Sequence, residues 1–204
     1  MLDHLRPEAG AFVYKGSSDY GSAVSRLLMP EGSWSLYAVS LPSFTPESAV
    51  YIVEKRLDAH VVSAQMTTHF WPILNGHRRS PLEAPATPGV DLARSPIPLP
   101  LVSALKQLWN AALLRTRHPT RGFVHTDGTN HHFGSHSREL GFMAGTTWSP
   151  PSGSLQAGLV EMSEKLARYA RESEEQQART AAELLEESTR LLHRFESEDS
   201  RTIG

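Results

Sequence analysis

Cysteine is absent from the 204 residues of this chain. Its absence excludes disulfide bonds, zinc or iron–sulfur sites held by cysteine, and a thiol nucleophile. Because a chain without disulfides suits a reducing compartment, we expect a cytoplasmic protein. Long apolar runs are missing too: none approaches the roughly 20 residues that cross a bilayer, and the first residues lack the apolar stretch of a secretory signal. We therefore expect no membrane attachment.

Charge of a single sign is also lacking. The chain has 20 Lys and Arg against 22 Asp and Glu, for a net charge of −2, and such a balanced chain is not expected to bind nucleic acid. The sequence has no P-loop, no Gly-x-Gly-x-x-Gly and no Gly-x-Ser-x-Gly. These missing motifs favour a protein that is not an enzyme, and we predict no cofactor.

The patterns that are present indicate an α+β fold. Trp34–Leu41 alternates its apolar side chains and is predicted to be a strand. Ala49–Arg56 and His60–Trp71 are rich in β-branched and aromatic residues and predict an antiparallel hairpin. Leu101–Arg117 carries apolar residues at the spacing of one buried helical stripe, so we expect a central helix there.

Two stretches carry weaker signals. Residues 11–29 are ambiguous between strand and loop. Residues 76–98 hold five prolines and little periodicity, which predicts an irregular crossover with one short strand at residues 90–92.

A second hairpin is predicted around Asp127-Gly128, since this dipeptide is the strongest signal for a two-residue turn. The hairpin would cover Gly122–Phe133. Leu140–Trp148 is predicted to be the strand that follows it.

Two helices are predicted at the end of the chain. The first ends near Arg171, because its apolar seam fails at Ser173, where Ser173-x-x-Gln176 has capping-box form. The second is predicted at Glu174–Glu196, and one continuous helix is the alternative. The expected architecture is an antiparallel β-sheet of hairpins packed against one central helix and a C-terminal pair of helices. Residues 1–171 would form the α+β domain, and residues 172–204 an acidic helical extension packed on it.

Histidines are concentrated in the second half: five lie within nineteen residues, at positions 118, 125, 131, 132 and 136. In a hairpin with a two-residue turn, His125 and His132 lie diagonally on its less apolar side, roughly 7–8 Å apart, while His131 shares the core side. Two imidazoles could hold one ion there with Asp127 or His136 as a third ligand. The candidate site is therefore His125, Asp127, His132 and His136. The spacing matches no known ligand motif, so no metal is predicted, and ordinary cross-strand hydrogen bonds are the alternative.

Acidic residues accumulate near the end of the chain. Residues 172–199 carry nine acidic and three basic side chains, which gives 3 − 9 = −6. An acidic helical face can dock on a basic partner through electrostatic steering. The candidate contacts are Glu174, Glu175, Glu183, Glu186, Glu187 and Arg190. The competing interpretation is a solvated helix face whose Glu and Arg side chains meet only water and one another.

Several motifs resemble those of a group of uncharacterised bacterial proteins that have no established activity. They are Thr126-Asp127-Gly128-Thr129 with His132-Phe133, Ala144-Gly145-Thr146-Thr147-Trp148-Ser149-Pro150 with Gly153-Ser154, Leu41-Pro42-Ser43-Phe44, and the helix end from Leu108-Trp109 to Arg117. The resemblance covers most of residues 34–171. It departs at His131, where the pattern carries an aromatic residue. A role in bacterial competition fits proteins of this size and style, although the motifs themselves imply no activity.

The leading hypothesis is a non-enzymatic binding protein, most specifically an immunity or inhibitor protein that neutralises a bacterial toxin domain. Its rival is a metal-dependent enzyme that uses the histidines of residues 125–136. A third hypothesis is a scaffolding protein that interacts through its C-terminal helices.

Overall fold

The computed structural model describes residues 4–8, 20–70, 88–118 and 127–202. Within these ranges the chain forms one seven-stranded antiparallel sheet and four α-helices, so the predicted α+β class is confirmed. The strands are β1 (Arg6–Pro7), β2 (Leu36–Pro42), β3 (Ser48–Lys55), β4 (Asp58–Met66), β5 (Val90–Pro96), β6 (Thr129–Ser137) and β7 (Gly141–Trp148). Their order across the sheet is β1-β7-β6-β2-β3-β4-β5.

The helices lie on both faces of the sheet. They are α1 (Tyr20–Leu28), α2 (Leu99–Leu114), α3 (Leu155–Tyr169) and α4 (Glu174–Thr202). The last three pack on one face, which we call the helical face, and α1 packs on the opposite face, which we call the α1 face. Within the described ranges, no helix has both the length and the apolar character needed to cross a bilayer.

Each central strand contributes to two cores, because side chains alternate along a strand. On β2, Leu36 is 1% exposed in the core of the helical face, while its neighbour Tyr37 is fully buried in the core of the α1 face. On β3, Ile52 and Tyr51 divide in the same way. Strands buried on both faces have nearly continuous apolar sequences, which explains why Ala49–Val53 has no polar residue.

The predicted central helix is confirmed as α2. Pro98 precedes it in an extended conformation and a second proline lies in its first turn, where a missing N–H leaves no intrahelical bond unmade. Trp109 is 1% exposed, and its indole N–H donates to the carbonyl of Tyr37 at 3.1 Å. At the other end, the Arg115 guanidinium donates to the carbonyl of Ala111 at 2.9 Å and satisfies one of the last free carbonyls.

The predicted break between the C-terminal helices is also confirmed. The Ser173 N–H donates to the Gln176 side-chain oxygen at 3.2 Å, which is half of a capping box. The next residue fixes the turn to the sheet: the buried Gln177 side chain donates to Ser95 Oγ at 2.8 Å and to the Tyr169 carbonyl at 3.2 Å. The turn between α3 and α4 is therefore anchored on β5.

One side of α4 is part of the core. Leu184 and Phe195 are 0% and 1% exposed and lie in the same cluster as the apolar residues of α2 and α3. Lys165 of α3 binds the carboxylate of Glu187, and Arg194 donates to the carbonyl of Gly153 at 2.9 Å. Residues on both sides of Arg171 thus share one hydrophobic core.

The hairpin predicted around Asp127-Gly128 is wrong. β6 pairs with β2 along one edge and with β7 along the other, so a strand at residues 122–126 has no free edge of β6 to join. The pairing with β2 continues past Thr129, because the Ser43 N–H donates to the carbonyl of Gly128 at 2.9 Å. Residues 122–126 themselves lie outside the described residues, as do residues 11–14 and 71–87.

The short strand predicted at residues 90–92 is longer than expected. β5 has seven residues and pairs with β4 along its whole length. The prolines predict an irregular crossover, but a proline is also compatible with an edge strand where its nitrogen faces away from the sheet. In the ambiguous stretch 11–29, the described part holds α1.

Two adjacent leucines test the role of α4 in the core. Leu184 is fully buried and Leu185 is 38% exposed. We expect Leu184→Ala to lower the free energy of unfolding by roughly 2–5 kcal/mol, because it leaves a cavity, and Leu185→Ala to lower it by about 1 kcal/mol or less. Urea unfolding followed by circular dichroism measures both. Equal losses would show that α4 is not held in the core.

Candidate functional site

His132 forms the centre of a buried polar network on the α1 face. Its Nδ1 lies 3.0 Å from a carboxylate oxygen of Glu8, and its Nε2 lies 3.0 Å from the side-chain nitrogen of Asn130. Asn130 in turn accepts a hydrogen bond from the Thr146 hydroxyl at 2.7 Å. The side chains of His132 and Glu8 are only 9% and 4% exposed. Both ring nitrogens are therefore engaged inside the fold.

This network has one half of a hydrolytic triad. A carboxylate that binds one imidazole nitrogen fixes the tautomer of the ring, as in serine hydrolases. The second nitrogen must then face a nucleophile, but Nε2 of His132 faces the Asn130 amide. The Thr146 hydroxyl donates to Asn130 and to the carbonyl of His131 instead. The arrangement holds β1 and β6 together, and it does not activate a hydroxyl.

Among the predicted site residues that the structure describes, His132, His136 and Asp127 do not converge on one point. His132 and His136 lie on the same side of β6, four residues and about 13 Å apart along the strand. The ring of Tyr37 covers Gly134 between them so closely that a Cβ at Gly134 would lie 2.2 Å from the ring. One ion cannot contact both imidazoles. Within the described ranges, no group of three or more His, Asp or Glu side chains could hold a metal ion.

The other predicted members of the site have separate positions. Asp127 and His136 are exposed at opposite ends of β6. His125 lies outside the described residues. His131 points to the helical face, the side of Phe133, as the sequence predicted. The side assigned to His132 was expected to be the outer one, but it is buried, because α1 and its neighbours cover that face as well.

His131 is a buried neutral imidazole. The residue is 8% exposed, and its Nδ1 lies 2.9 Å from the Ser40 hydroxyl. Burial, followed by the nearby His132, lowers the pKa of His131 from 6.5 to about 4. Its protonation therefore works against folding at mildly acidic pH.

The motif segments that carry the family resemblance meet at one end of the sheet. The Ser43 hydroxyl donates to the carbonyl of Gly128 at 2.9 Å. Next to it, the Thr129 N–H donates to Ser149 Oγ at 2.9 Å, and the Ser149 N–H donates to the carbonyl of Thr129 at 2.9 Å. Ser149 has a φ of 33°, a strained value for a residue with a side chain. Ser43 and Ser149 thus have a structural role here, because their hydrogen bonds to Gly128 and Thr129 join the motif segments into one corner.

Gly128 is required at this corner for steric reasons. Its φ is 145°, and a Cβ at this position would lie 2.5 Å from Ser149 Oγ and 2.9 Å from the Trp148 indole nitrogen. The spacing of the Asp-Gly-Thr and Trp-Ser-Pro motifs is explained by this mutual contact. Phe44, beside the corner, is 74% exposed.

Glu47 is a buried carboxylate that the sequence did not single out. It is 0% exposed and accepts hydrogen bonds from the Phe70 N–H at 2.9 Å and from the Tyr20 hydroxyl. His69 Nε2 lies 3.6 Å away. Burial, then the bond to Glu47, raises the pKa of the Tyr20 hydroxyl, which stays protonated as the donor. The cluster ties α1 and the residues after β4 to the start of β3.

A weak signal for Glu47 exists in the sequence. It lies two residues before Ala49 and four before Tyr51, and both of these point to the α1 face. Alternation therefore places Glu47 on the same buried side. The flanking Pro46 and Ser48 instead suggest an exposed turn. Because the carboxylate is sealed from solvent, it cannot meet a substrate in this conformation, and its role is structural.

The predicted acidic contacts on α4 divide into two groups. Glu174, Glu175, Glu183, Glu186 and Arg190 are exposed, and Glu187 is half-buried against Lys165. Arg179 lies 3.6 Å from Glu183, and Arg190 lies 3.8 Å from Glu186, in exposed i,i+4 pairs. Such pairs stabilise a protein by less than about 1 kcal/mol. Five of the six side chains are thus accessible to a partner.

Comparison with known proteins adds no relative: the chain matches no protein-family profile, no curated protein and no solved structure.

Removal of the Glu47 carboxylate tests the buried cluster. We expect Glu47→Ala to lower the free energy of unfolding by roughly 2–5 kcal/mol, because it leaves buried donors without an acceptor. Glu54→Ala is the control: its exposed pair with Lys106 is worth at most about 1 kcal/mol. Thermal and urea unfolding measure both variants, and a Glu47→Ala protein as stable as the control would contradict the assignment.

The lowered pKa of His131 predicts a pH dependence. Between pH 6.5 and about 4, the unfolded state binds a proton that the folded state does not, so stability falls as the pH falls. The contribution of neutral His131 is complete above pH 6.5 and is lost progressively below it. We expect His131→Asn to reduce the difference in unfolding free energy between pH 7 and pH 5, whereas His136→Asn at an exposed site keeps it. If the unfolding free energy of His131→Asn fell between pH 7 and pH 5 as much as that of the wild type, the pH dependence would not arise from His131.

Proposed function

We propose that this protein is a non-enzymatic protein-binding module, most specifically a cytoplasmic immunity protein that neutralises the toxin domain of a bacterial toxin–antitoxin or competition system. The observation that carries the proposal is the packing of α4 against the hydrophobic core. One side of this 29-residue helix is fixed in the core, so the backbone that carries the charged side chains of the opposite side is in place before any partner arrives. A preorganised surface loses little conformational entropy on binding.

The charges of this surface suit a basic partner. Glu183 and Glu186 are 62% and 80% exposed at the side chain. Their intrahelical pairs with arginine are long and solvated, so a competing cation can replace them at small cost. Glu174 and Glu175 have a second role, because acidic residues in a first turn stabilise the helix dipole. Glu183 and Glu186 are therefore the cleaner probes of binding.

Two contacts of the described histidines weigh against the rival hypothesis of a metal-dependent enzyme. His132 is engaged with Glu8 and Asn130, and Tyr37 separates it from His136. The scaffolding hypothesis keeps the same surface of α4, but it predicts several partners rather than one toxin. The resemblance to uncharacterised bacterial proteins stays a proposal beside these.

Co-expression with each neighbouring reading frame tests the proposed function. We expect one neighbour to be toxic alone, and this protein to restore growth and co-purify with it. If no neighbour is toxic and none forms a stable complex, the immunity assignment fails.

Charge reversal then tests the surface. We expect Glu183→Lys with Glu186→Lys to slow association with the partner by roughly tenfold or more at low salt, because steering is lost. The control is Asp58→Lys with Glu139→Lys, an equal change in net charge at the exposed first residue of β4 and in the exposed turn before β7. Equal effects of the two double variants in surface plasmon resonance would place the interface elsewhere.

A further inference from the structure

Among the described strands, none pairs with the outer edge of β5. The Thr67 N–H donates to the carbonyl of Gly89 at 2.9 Å, and the Ile97 N–H donates to the carbonyl of Ala59 at 3.0 Å. Odd-numbered residues of β5 therefore bond to β4, and the alternation of an antiparallel ladder turns the backbone groups of even-numbered residues outward. The outward N–H and C=O groups belong to Val90, Leu92 and Arg94. Within the described ranges, no hydrogen bond reaches them.

Two prolines limit this open edge. Pro88 and Pro96 occupy the next even positions on either side, and neither has an N–H. The carbonyl of Pro96 is already bonded to the Tyr169 hydroxyl at 2.9 Å. The N–H donors that remain are therefore symmetric about Leu92, which is 53% exposed.

We propose that β5 pairs antiparallel with β5 of a second copy of this chain, with Leu92 on the two-fold axis. The two seven-stranded sheets then continue as one. A two-fold contact is self-complementary, because each patch meets its own copy. The symmetric prolines favour this occupant over an unrelated strand.

The unpaired groups and charges select the register. In the register centred on Leu92, Val90 of one copy lies opposite Arg94 of the other. The outward N–H and C=O groups of Val90, Leu92 and Arg94 are then all used in both strands. Pro88 then lies opposite Pro96, and neither has an N–H that would be left without an acceptor. Centring on Asp91 would place two carboxylates opposite each other, and centring on Arg94 two guanidinium groups, both of which are unfavourable. Centring on Ala93 would set Pro96 opposite Val90 and lose a hydrogen bond.

The side chains beside the edge tolerate this pairing. Asp91 is bound by Arg171 at 2.7 Å, and Arg94 is bound by Glu31 at 2.9 Å. Both charges are thus compensated within their own chain. The contact covers few residues, so we expect a weak dimer that depends on concentration.

Proline at position 92 tests the backbone pairing. Because the N–H of Leu92 points outward, Leu92→Pro leaves the ladder with β4 intact, and the variant should keep the circular dichroism spectrum of the wild type. We expect sedimentation equilibrium to show a dimer in the wild type, and a dissociation constant at least about tenfold higher in Leu92→Pro, since two central hydrogen bonds are lost. Leu92→Ala, which keeps the N–H, is the matched control and should weaken the dimer less.

A cysteine at the axis gives a second readout in this cysteine-free chain. The Cα atoms of a hydrogen-bonded antiparallel pair lie about 5.5 Å apart, within the range that a disulfide spans. We expect Leu92→Cys to form a disulfide-linked dimer under mild oxidation. Leu99→Cys, at a leucine 50% exposed on α2, should stay monomeric.

A protein that is monomeric at all concentrations overturns the proposal, as does a Leu92→Pro variant that dimerises like the wild type or equal cross-linking at positions 92 and 99. The dimer is independent of the proposed toxin binding. A monomeric Leu92→Pro that still binds the toxin would separate the two.

Discussion

The burial of the sheet on both faces is the constraint on which the rest of the structure depends. Leu36 and Tyr37 are consecutive residues, yet they lie in two different cores on opposite sides of β2. A strand in this position has no solvent side, so every side chain along it must be apolar or must find a polar partner within the fold. This requirement explains both the long apolar run in β3 and the polar networks of β6.

The histidines of β6 follow from the same constraint. Alternation sends His131 and His132 to opposite faces, where burial obliges each ring to be hydrogen-bonded. His131 meets Ser40, and His132 meets Glu8 and Asn130. His131, His132 and His136, which are close in the sequence, are therefore separated in space. Glu47 obeys the same rule on the α1 face, where Tyr20 of α1 and Phe70, which follows β4, donate hydrogen bonds to its carboxylate.

Because both faces of the sheet are covered, other molecules can meet the outer sides of the helices or an edge of the sheet. One such surface is the outer side of α4, which carries mixed but mainly acidic charge on a helix that the core holds rigid. Another is the edge of β5, where no described residue bonds to the outward backbone groups. The two surfaces differ in chemistry: the first suits a basic partner, and the second suits an extended strand.

The sequence by itself determined the elements whose signals are local. Apolar spacing predicted α2, β-branched runs predicted β3 and β4, and the Ser173-x-x-Gln176 pattern placed the break before α4, because capping and periodicity depend on neighbouring residues. Pairing partners were decided only by the tertiary structure. Asp127-Gly128 is a sound turn signal, but β2 and β7 occupy both edges of β6. The burial of Glu47 and His132 also depends on residues that are distant along the chain, so the local pattern gave only a weak signal for Glu47 and placed His132 on the outer side.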